Sequence, residues 1–377
     1  MPQIKPDIET FARIKVIGCG GSGGNAIGRM MSCGIKGVNF VVINTDVQAL
    51  HNNRAQEKIH IGKVLTKGLG AGMNPEIGRR AAEENKQEIQ EALKGADMVF
   101  ITCGLGGGTG TGASPIVADV AKESGALTVA VVTKPFSFEG TQRARVAEEG
   151  LAELRDKVDT LIVIPNDRLL TIIDKKVSLL NAFEIVDDVL RQAVQGISDL
   201  IVYPGIINLD FADIKAVMEN AGPAIMGIGR ATGENRAVDA ARAAISSPLL
   251  EFSIEGAKGI LFNVSGGQDI GMLEISEAAK TITETADPDA KIIFGAVIDE
   301  KAKKGEIKIT VIATGFGKGA KPAKKAPHIT PWTVDKQDEK PLVFNPKILS
   351  TPKIEVPTKS KEDEELEIPA FIQKKMM

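Results

Sequence analysis

The chain has 377 residues, 43% of them hydrophobic and 25% charged, which is enough apolar content for more than one core. Its 46 basic and 49 acidic residues leave a net charge of −3, with no overall bias toward nucleic acid. Three histidines and three cysteines, without a CxxC or HExxH, argue against a dedicated zinc site and leave a hydrolase triad without a base beside a nucleophile motif; the scattered cysteines point to a reducing compartment.

Residues 1–12 read as an N-terminal extension without the apolar stretch of a signal peptide. Strand-like runs then follow at Arg13–Ile17, Val38–Ile43, Asp97–Thr102, Leu127–Thr133 and Thr160–Ile164, with helical patterns such as Glu76–Lys94 and Glu139–Lys157 between them. Several of the strands are nearly continuous apolar runs, as expected of a parallel sheet covered on both faces. The uncharged run Met98–Ala118 is long enough to span a bilayer, but its glycines break it into strand, loop and helix start, so no transmembrane segment is expected.

A long helical pattern runs from Lys176 to about Ile201, marked by Leu180, Phe183, Val186, Leu190, Val194 and Ile197; twenty such residues span roughly 30 Å. Strands at Ala224–Arg230, Gly259–Val264, Lys291–Ile298 and Ile307–Thr314, with helices at Glu234–Ser246 and Met272–Thr285, suggest a second, smaller α/β domain. From Gly317 onward proline and lysine dominate and apolar periodicity ends, so 317–362 reads as a disordered linker. The expected organisation is a nucleotide-binding domain at 13–175, a central helix at 176–204, a second domain at 205–316, the linker, and a terminal peptide at 363–377.

Two glycine-rich loops carry the chemistry. Gly18-Cys19-Gly20-Gly21-Ser22-Gly23-Gly24-Asn25 follows the first strand and opens a helix at Asn25–Met31; Gly18, Gly20 and Gly23 satisfy GxGxxG. Gly104-Leu105-Gly106-Gly107-Gly108-Thr109-Gly110-Thr111-Gly112 follows the strand Asp97–Thr102 and leads into a helix at Ala113–Lys122. Two such loops at one end of a parallel sheet can cradle a polyphosphate from two sides, because glycine lets backbone amides approach its oxygens. No GxxxxGK[ST] is present, which removes the P-loop NTPases.

Gly106–Gly112, GGGTGTG, resembles the signature of the tubulin and FtsZ superfamily, and the first loop is similar to that family's first phosphate loop, with Ser22 where glycine is usual. The resemblance implies a Rossmann-like GTPase that binds GTP or GDP with Mg²⁺ held mainly through the phosphates, and no dedicated protein metal site. It assigns nucleotide contacts to Gly20, Gly21, Ser22, Gly23, Gly24 and Asn25, to Asn44, to Gly107, Gly108, Thr109 and Gly110, and to Thr133. Glu139 and Arg143, four apart, make a favourable helical ion pair on residue grounds and face ribose and phosphate by resemblance. Asn166, Phe183 and Asp187 would meet the guanine; otherwise Phe183 reads as core and Asp187 as a polar helix face.

Asn208-Leu209-Asp210-Phe211-Ala212-Asp213 is read locally as a helix start, with Asp210 capping and Asp213 in the first turn. It resembles the family loop that serves the neighbouring subunit's nucleotide, which makes Asn208, Asp210 and Asp213 candidate catalytic residues in a head-to-tail filament. The peptide Ile368-Pro369-Ala370-Phe371-Ile372 resembles the segment that binds membrane-tethering and regulatory division proteins. By this resemblance the protein is cytoplasmic, sits at the mid-cell division site, and binds no nucleic acid directly. A nicotinamide-dependent oxidoreductase built on Gly18–Gly23 and Asp46, and a nucleotide-binding scaffold without turnover, remain alternatives at this stage.

Overall fold

The computed structural model describes residues 12–316 except 172–176, 203–206, 208, 248–249, 251–252, 300–301 and 304. Candidate residue Asn208, the linker and the terminal peptide Ile368–Ile372 lie outside the described residues.

In the first half, strands β1 (Ile14–Cys19), β2 (Val38–Asn44), β3 (Glu57–His60), β4 (Met98–Gly104), β5 (Leu127–Lys134) and β6 (Thr160–Pro165) alternate with helices. Those helices are α1 (Gly20–Ser32), α2 (Val47–Asn52), α3 (Lys63–Thr66), α4 (Pro75–Glu84), α5 (Lys86–Leu93), α6 (Thr109–Glu123), α7 (Thr141–Arg155) and α8 (Asn166–Leu170). The central helix α9 (Leu179–Val202) and α10 (Phe211–Met218) lead to β7 (Gly222–Thr232), α11 (Arg236–Ile245), β8 (Gly259–Gly266), α12 (Met272–Thr283), β9 (Lys291–Ile298) and β10 (Glu306–Thr314).

All ten strands join one sheet in the order β3-β2-β1-β4-β5-β6-β7-β10-β8-β9. The first six pair in parallel, and β10 runs antiparallel to both β7 and β8. The two α/β halves therefore share a sheet, joined where β6 meets β7 over only Thr160↔Gly222, Leu161↔Pro223 and Ile162↔Ala224. Residues of β4 such as Phe100 and Ile101 are fully buried but belong to different apolar clusters, one on each face. Leu190, Val194 and Ile197 of α9 join Phe100, Met226 and Ile312 in one cluster, so the central helix packs against both halves. Among the described residues no helix is long and apolar enough to cross a membrane.

Several local expectations change. The pattern at Glu76–Lys94 is two helices, because Asn85 leaves helical geometry at φ −108°, ψ 21° and its side chain works elsewhere. Its Oδ1 accepts from Gly62 N at 2.9 Å and its Nδ2 donates to Glu88 at 3.0 Å, local bonds that compete with the helical ladder. Both glycine-loop helices start earlier than the apolar pattern suggests, at Gly20 rather than Asn25 and at Thr109 rather than Ala113. Glu139 closes a 3₁₀ turn, Ser137–Glu139, and Gly140 at φ 98° separates it from α7.

Candidate functional site

The glycine loops leave the carboxyl ends of β1 and β4, which are hydrogen-bonded neighbours. They touch each other: a Cβ on Gly20 (φ +72°) would lie 2.8 Å from Gly110 N. Only glycine meets both the left-handed backbone and that approach. Gly23 is packed as tightly, its Cβ position lying 2.4 Å from Thr102 O, and Ser22 turns its hydroxyl toward Gly104. By contrast a Cβ on Gly21 or Gly107 would meet nothing within 4 Å. The loops thus seal against each other on one side and leave a backbone-lined opening on the other, at the start of α1 and α6, where helix N-termini favour an anion.

A segment with no periodic signal in the sequence backs the second loop. Gly108 faces Ala71 and Asn74, its Cβ position 2.8 Å from Ala71 Cβ and from Asn74 N, and a Cβ on Gly112 would collide with Pro75 O at 1.9 Å. Thr45 and Thr109 share a hydroxyl hydrogen bond of 2.6 Å, tying the end of β2 to the start of α6. Asn44 is buried and its Oδ1 accepts from Asp46 N at 3.2 Å. Asp46 itself caps α2, accepting from Gln48 N at 2.8 Å and Ala49 N at 3.1 Å. Both bonds use Oδ1, so Asp46 serves as the cap of α2.

A cleft of about 440 Å³ opens beside the first loop, lined by Gly21, Gly24, Asn25 and Asn44 together with Asn52 and Arg54. On the other side, Thr133, one residue before the end of β5, is buried, with its carbonyl accepting from Leu105 N at 2.9 Å. Glu139 accepts from Phe136 N at 2.9 Å and pairs with Arg143 at 2.9 Å. Among the described residues, Arg143 Nε, Thr102 Oγ1 and Asn166 Oδ1 are buried without a hydrogen-bond partner. Orphaned polar atoms are costly in a core, and these three gather at the carboxyl end of the parallel strands, where a polar ligand could satisfy them.

Phe183 is 40% exposed and meets Phe136 edge-on at 5.5 Å, with Phe138 stacked on Phe136 at 5.0 Å. It is thus an exposed ring on an aromatic ledge, although its spacing in α9 matched the core stripe. Asp187, one turn later, is half-buried; burial pushes its carboxyl up to about 7, Arg29 pulls it down, and Glu184 and Asp188 push it up.

Asp210 and Asp213 are both exposed and lie elsewhere. Asp210 holds the N-cap position of α10 at φ −74°, ψ 145°, but its side chain makes no capping bond, so the expected cap is one of position only. The α10 helix ends at Met218, whose carbonyl accepts from Thr160 Oγ1 at the start of β6. That is the opposite end of the strands from the glycine loops. The 24 residues of α9 begin beyond the carboxyl end of β6; at 1.5 Å per residue they carry the chain roughly 36 Å.

A parallel sheet with two glycine loops meeting at its carboxyl edge, a central helix and a second α/β half define a GTPase of the tubulin/FtsZ type. Residues 13–174 match the Tubulin/FtsZ family GTPase domain, and residues 222–317 match the FtsZ family C-terminal domain. A mutant FtsZ from M. jannaschii is 50% identical over 81% of this chain and 92% of its own, with a TM-score of 0.78. An FtsZ from the same organism, described as an empty dimer, is 47% identical over 86% of this chain and 96% of its own, at a TM-score of 0.80. CetZ2 from Haloferax volcanii, described as a GTPγS-bound protofilament, shares the fold at 20% identity and a TM-score of 0.69, covering 80% of this chain and 92% of that one. The chain belongs to the FtsZ family, and it is a guanine-nucleotide-binding GTPase.

Proposed function

We propose that the protein polymerises head to tail and that GTP held in the glycine loops of one subunit is hydrolysed with Asp210 and Asp213 of the next, in the cell-division ring. What supports this reading is that Asp210 and Asp213 are exposed on α10, whose far end meets Thr160 at the amino end of β6, whereas the open glycines Gly21 and Gly107 follow the carboxyl ends of β1 and β4. A site on one face and its complement on the opposite face repeat without rotational closure as a filament.

In this reading the amides of Gly20–Gly24 and Gly107–Gly110 hold the phosphates, with Ser22 and Thr109 bordering them. Thr133, Glu139 and Arg143 take the ribose side, while Asn25, Asn44, Asn166, Phe183 and Asp187 enclose the base and the first loop. Asp210 and Asp213 orient and polarise a water against the γ-phosphate; the bond to the β–γ bridging oxygen breaks, and GDP and phosphate leave. Asn208 belongs to the same proposed catalytic segment.

The hydroxyls of Thr45 and Thr109 and the nearby carbonyls are hard oxygen donors of the kind magnesium accepts, and the ion would reach the site largely on the phosphates. When bound it neutralises charge on the phosphate oxygens. The terminal peptide Ile368-Pro369-Ala370-Phe371-Ile372 is proposed to join the filament to membrane-tethering and regulatory division proteins, placing it in the cytoplasm at mid-cell.

The deciding measurement is GTP turnover per subunit against protein concentration. Turnover should be negligible below a threshold and rise above it. Full turnover by a preparation verified as monomeric would refute the shared site.

A further inference from the structure

Strand β9 forms one edge of the sheet, and its outer side is met by the stretch that leads into α10. Ile207 makes an isolated antiparallel bridge with Ala296, whose N–H donates to the Ile207 carbonyl at 3.5 Å. Ile207 packs with the apolar cluster on one face of the second half's sheet, which holds Phe262 and Ala296. Leu209 and Phe211 pack with the cluster on the other face, which holds Leu200 and Leu261. The stretch that carries Asp210 therefore straddles the edge of β9.

Gly295 is the residue that lets it come so close. It is buried within an eight-residue strand and its φ is not positive, so the backbone there would suit other residues. Glycine weakens a strand interior, and its presence marks a close approach by another part of the chain. A Cβ at this position would lie 2.5 Å from Leu200 Cδ2, 3.4 Å from Leu209 Cδ1 and 3.7 Å from the Ile207 carbonyl oxygen. The end of α9, the bridge residue and the residue before Asp210 thus meet over one bare Cα. The glycines of β7 serve a different purpose. Gly227 and Gly229 admit the backbone of α11, their Cβ positions lying 2.0 Å from Ala244 O and 1.9 Å from Ala240 O.

We propose that Gly295 is a positioning residue for hydrolysis: its missing side chain is the seat on which Leu209 rests, and that seat fixes where Asp210 and Asp213 stand toward the next subunit. The inference rests on the assignment of those two carboxylates to the neighbouring nucleotide made above. Asp210 follows Leu209 directly, and its own side chain makes no capping bond that would hold it. Its place is set from either side, by Leu209 before it and by the fully buried Ile214 of α10 after it. A methyl group on residue 295 has to displace Leu200, which is itself buried, into space that Leu209 also borders. A shift of about 1 Å in a group that orients the attacking water costs on the order of 100-fold in rate.

The experiment measures GTP affinity on dilute protein, the amount of sedimentable polymer, and turnover per sedimented subunit. It uses the full chain as wild type, Gly295→Ala, Gly295→Ala combined with Leu200→Val, and Asp213→Ala. Gly295→Ala should bind GTP within a factor of about two of wild type, assemble, and turn over about tenfold more slowly or worse. Adding Leu200→Val, which removes bulk at the closest contact, should recover most of the lost turnover. A general loss of stability would instead be deepened by the second truncation.

Wild-type turnover in assembled Gly295→Ala would overturn the proposal, and so would a loss that Leu200→Val does not repair. Failure to assemble with an intact fold would be equally fatal, since Gly295 would then shape the contact between subunits rather than the reaction. Should Gly295→Ala melt below the assay temperature, Leu209→Ala empties the same seat and carries the same readouts. Slowed turnover at unchanged GTP affinity is expected of it, and wild-type turnover would refute the seat. Asp213→Ala separates the layers. Undiminished turnover in that variant refutes the shared site itself, whereas slow turnover there beside wild-type turnover in Gly295→Ala refutes only the role of Gly295.

Discussion

The two ends of the parallel strands are finished in opposite ways. At the amino end, polar groups are closed upon one another: Asp159 accepts from Thr128 N at 2.9 Å and Asn220 N at 3.4 Å, pairs with Lys122 at 3.4 Å, and passes its carbonyl to Gly222 N at 2.8 Å. At the carboxyl end, Thr102, Arg143 and Asn166 keep buried polar atoms without partners, and Gly21 and Gly107 face open space. One end is complete by itself and the other is finished by a ligand. Asp210 and Asp213 stand exposed at the start of α10, whose last residue meets the amino end, and among the described residues the Asp210 side chain makes no capping bond.

The sharpest way to break this contrast is Asp213→Ala. Hydrolysis per subunit should fall by about 100-fold or more, as for loss of a group that positions a nucleophile, while GTP affinity measured on dilute protein stays within a factor of about two. Equal losses in both would move Asp213 into its own subunit's binding site.

Next in size is a glycine pair. Gly21→Ala should leave the melting temperature unchanged and weaken GTP binding by about tenfold or more, since its Cβ enters only the space of the ligand. Gly20→Ala should instead destabilise the unliganded protein by about 1–3 kcal/mol, through the left-handed backbone and the collision with Gly110. Identical melting curves would show that the loops are not sealed as described.

A smaller effect distinguishes the buried orphans. Asn166→Leu, similar in volume, should raise the stability of the nucleotide-free protein by about 1 kcal/mol by removing an unsatisfied polar atom, and weaken GTP binding. A loss of stability would mean Asn166 serves the fold rather than the ligand.

A control belonging to neither end is offered by Asp199 on α9 and Lys308 on β10. Burial pushes Asp199 up to about 6 and Lys308 down to about 8. Between roughly pH 4 and 6 the folded state holds the extra proton on Asp199, so stability falls as pH rises and is level above that. Between about 8 and 10.5 the unfolded state holds the extra proton on Lys308, so stability rises with pH, by about 3 kcal/mol. Lys308→Met should flatten that alkaline rise in denaturant titrations; a persistent rise would assign it to other groups.

How much of this was legible beforehand depends on whether the signal was local. The strands Val38–Asn44, Met98–Gly104 and Leu127–Lys134 are apolar runs whose burial follows from composition, and both glycine loops declare themselves. Strand Glu57–His60 has only Ile59 fully buried, so its sequence carries no strand pattern; it exists because β2 offers it an edge. The segment Ala71–Asn74 is recognisable only through its contact with Gly108, a long-range fact. Gly72 within it, after Gly68 and Gly70, was the available hint. Phe183 shows the limit of periodicity, which marks a face of α9 without saying where the sheet stops covering it. Arg29 had no signal at all, since nothing in the spacing of α1 says that α9 lies beside it.

Asp159 has a further, mechanical consequence. Helix α6 starts at Thr109 in the phosphate cradle and ends beside Lys122, which grips Asp159 exactly where β7 is stitched to β6 by three residue pairs. Fifteen helical residues make a strut of roughly 22 Å. One continuous helix and a single ion pair therefore connect the phosphate loop to the narrowest join in the sheet.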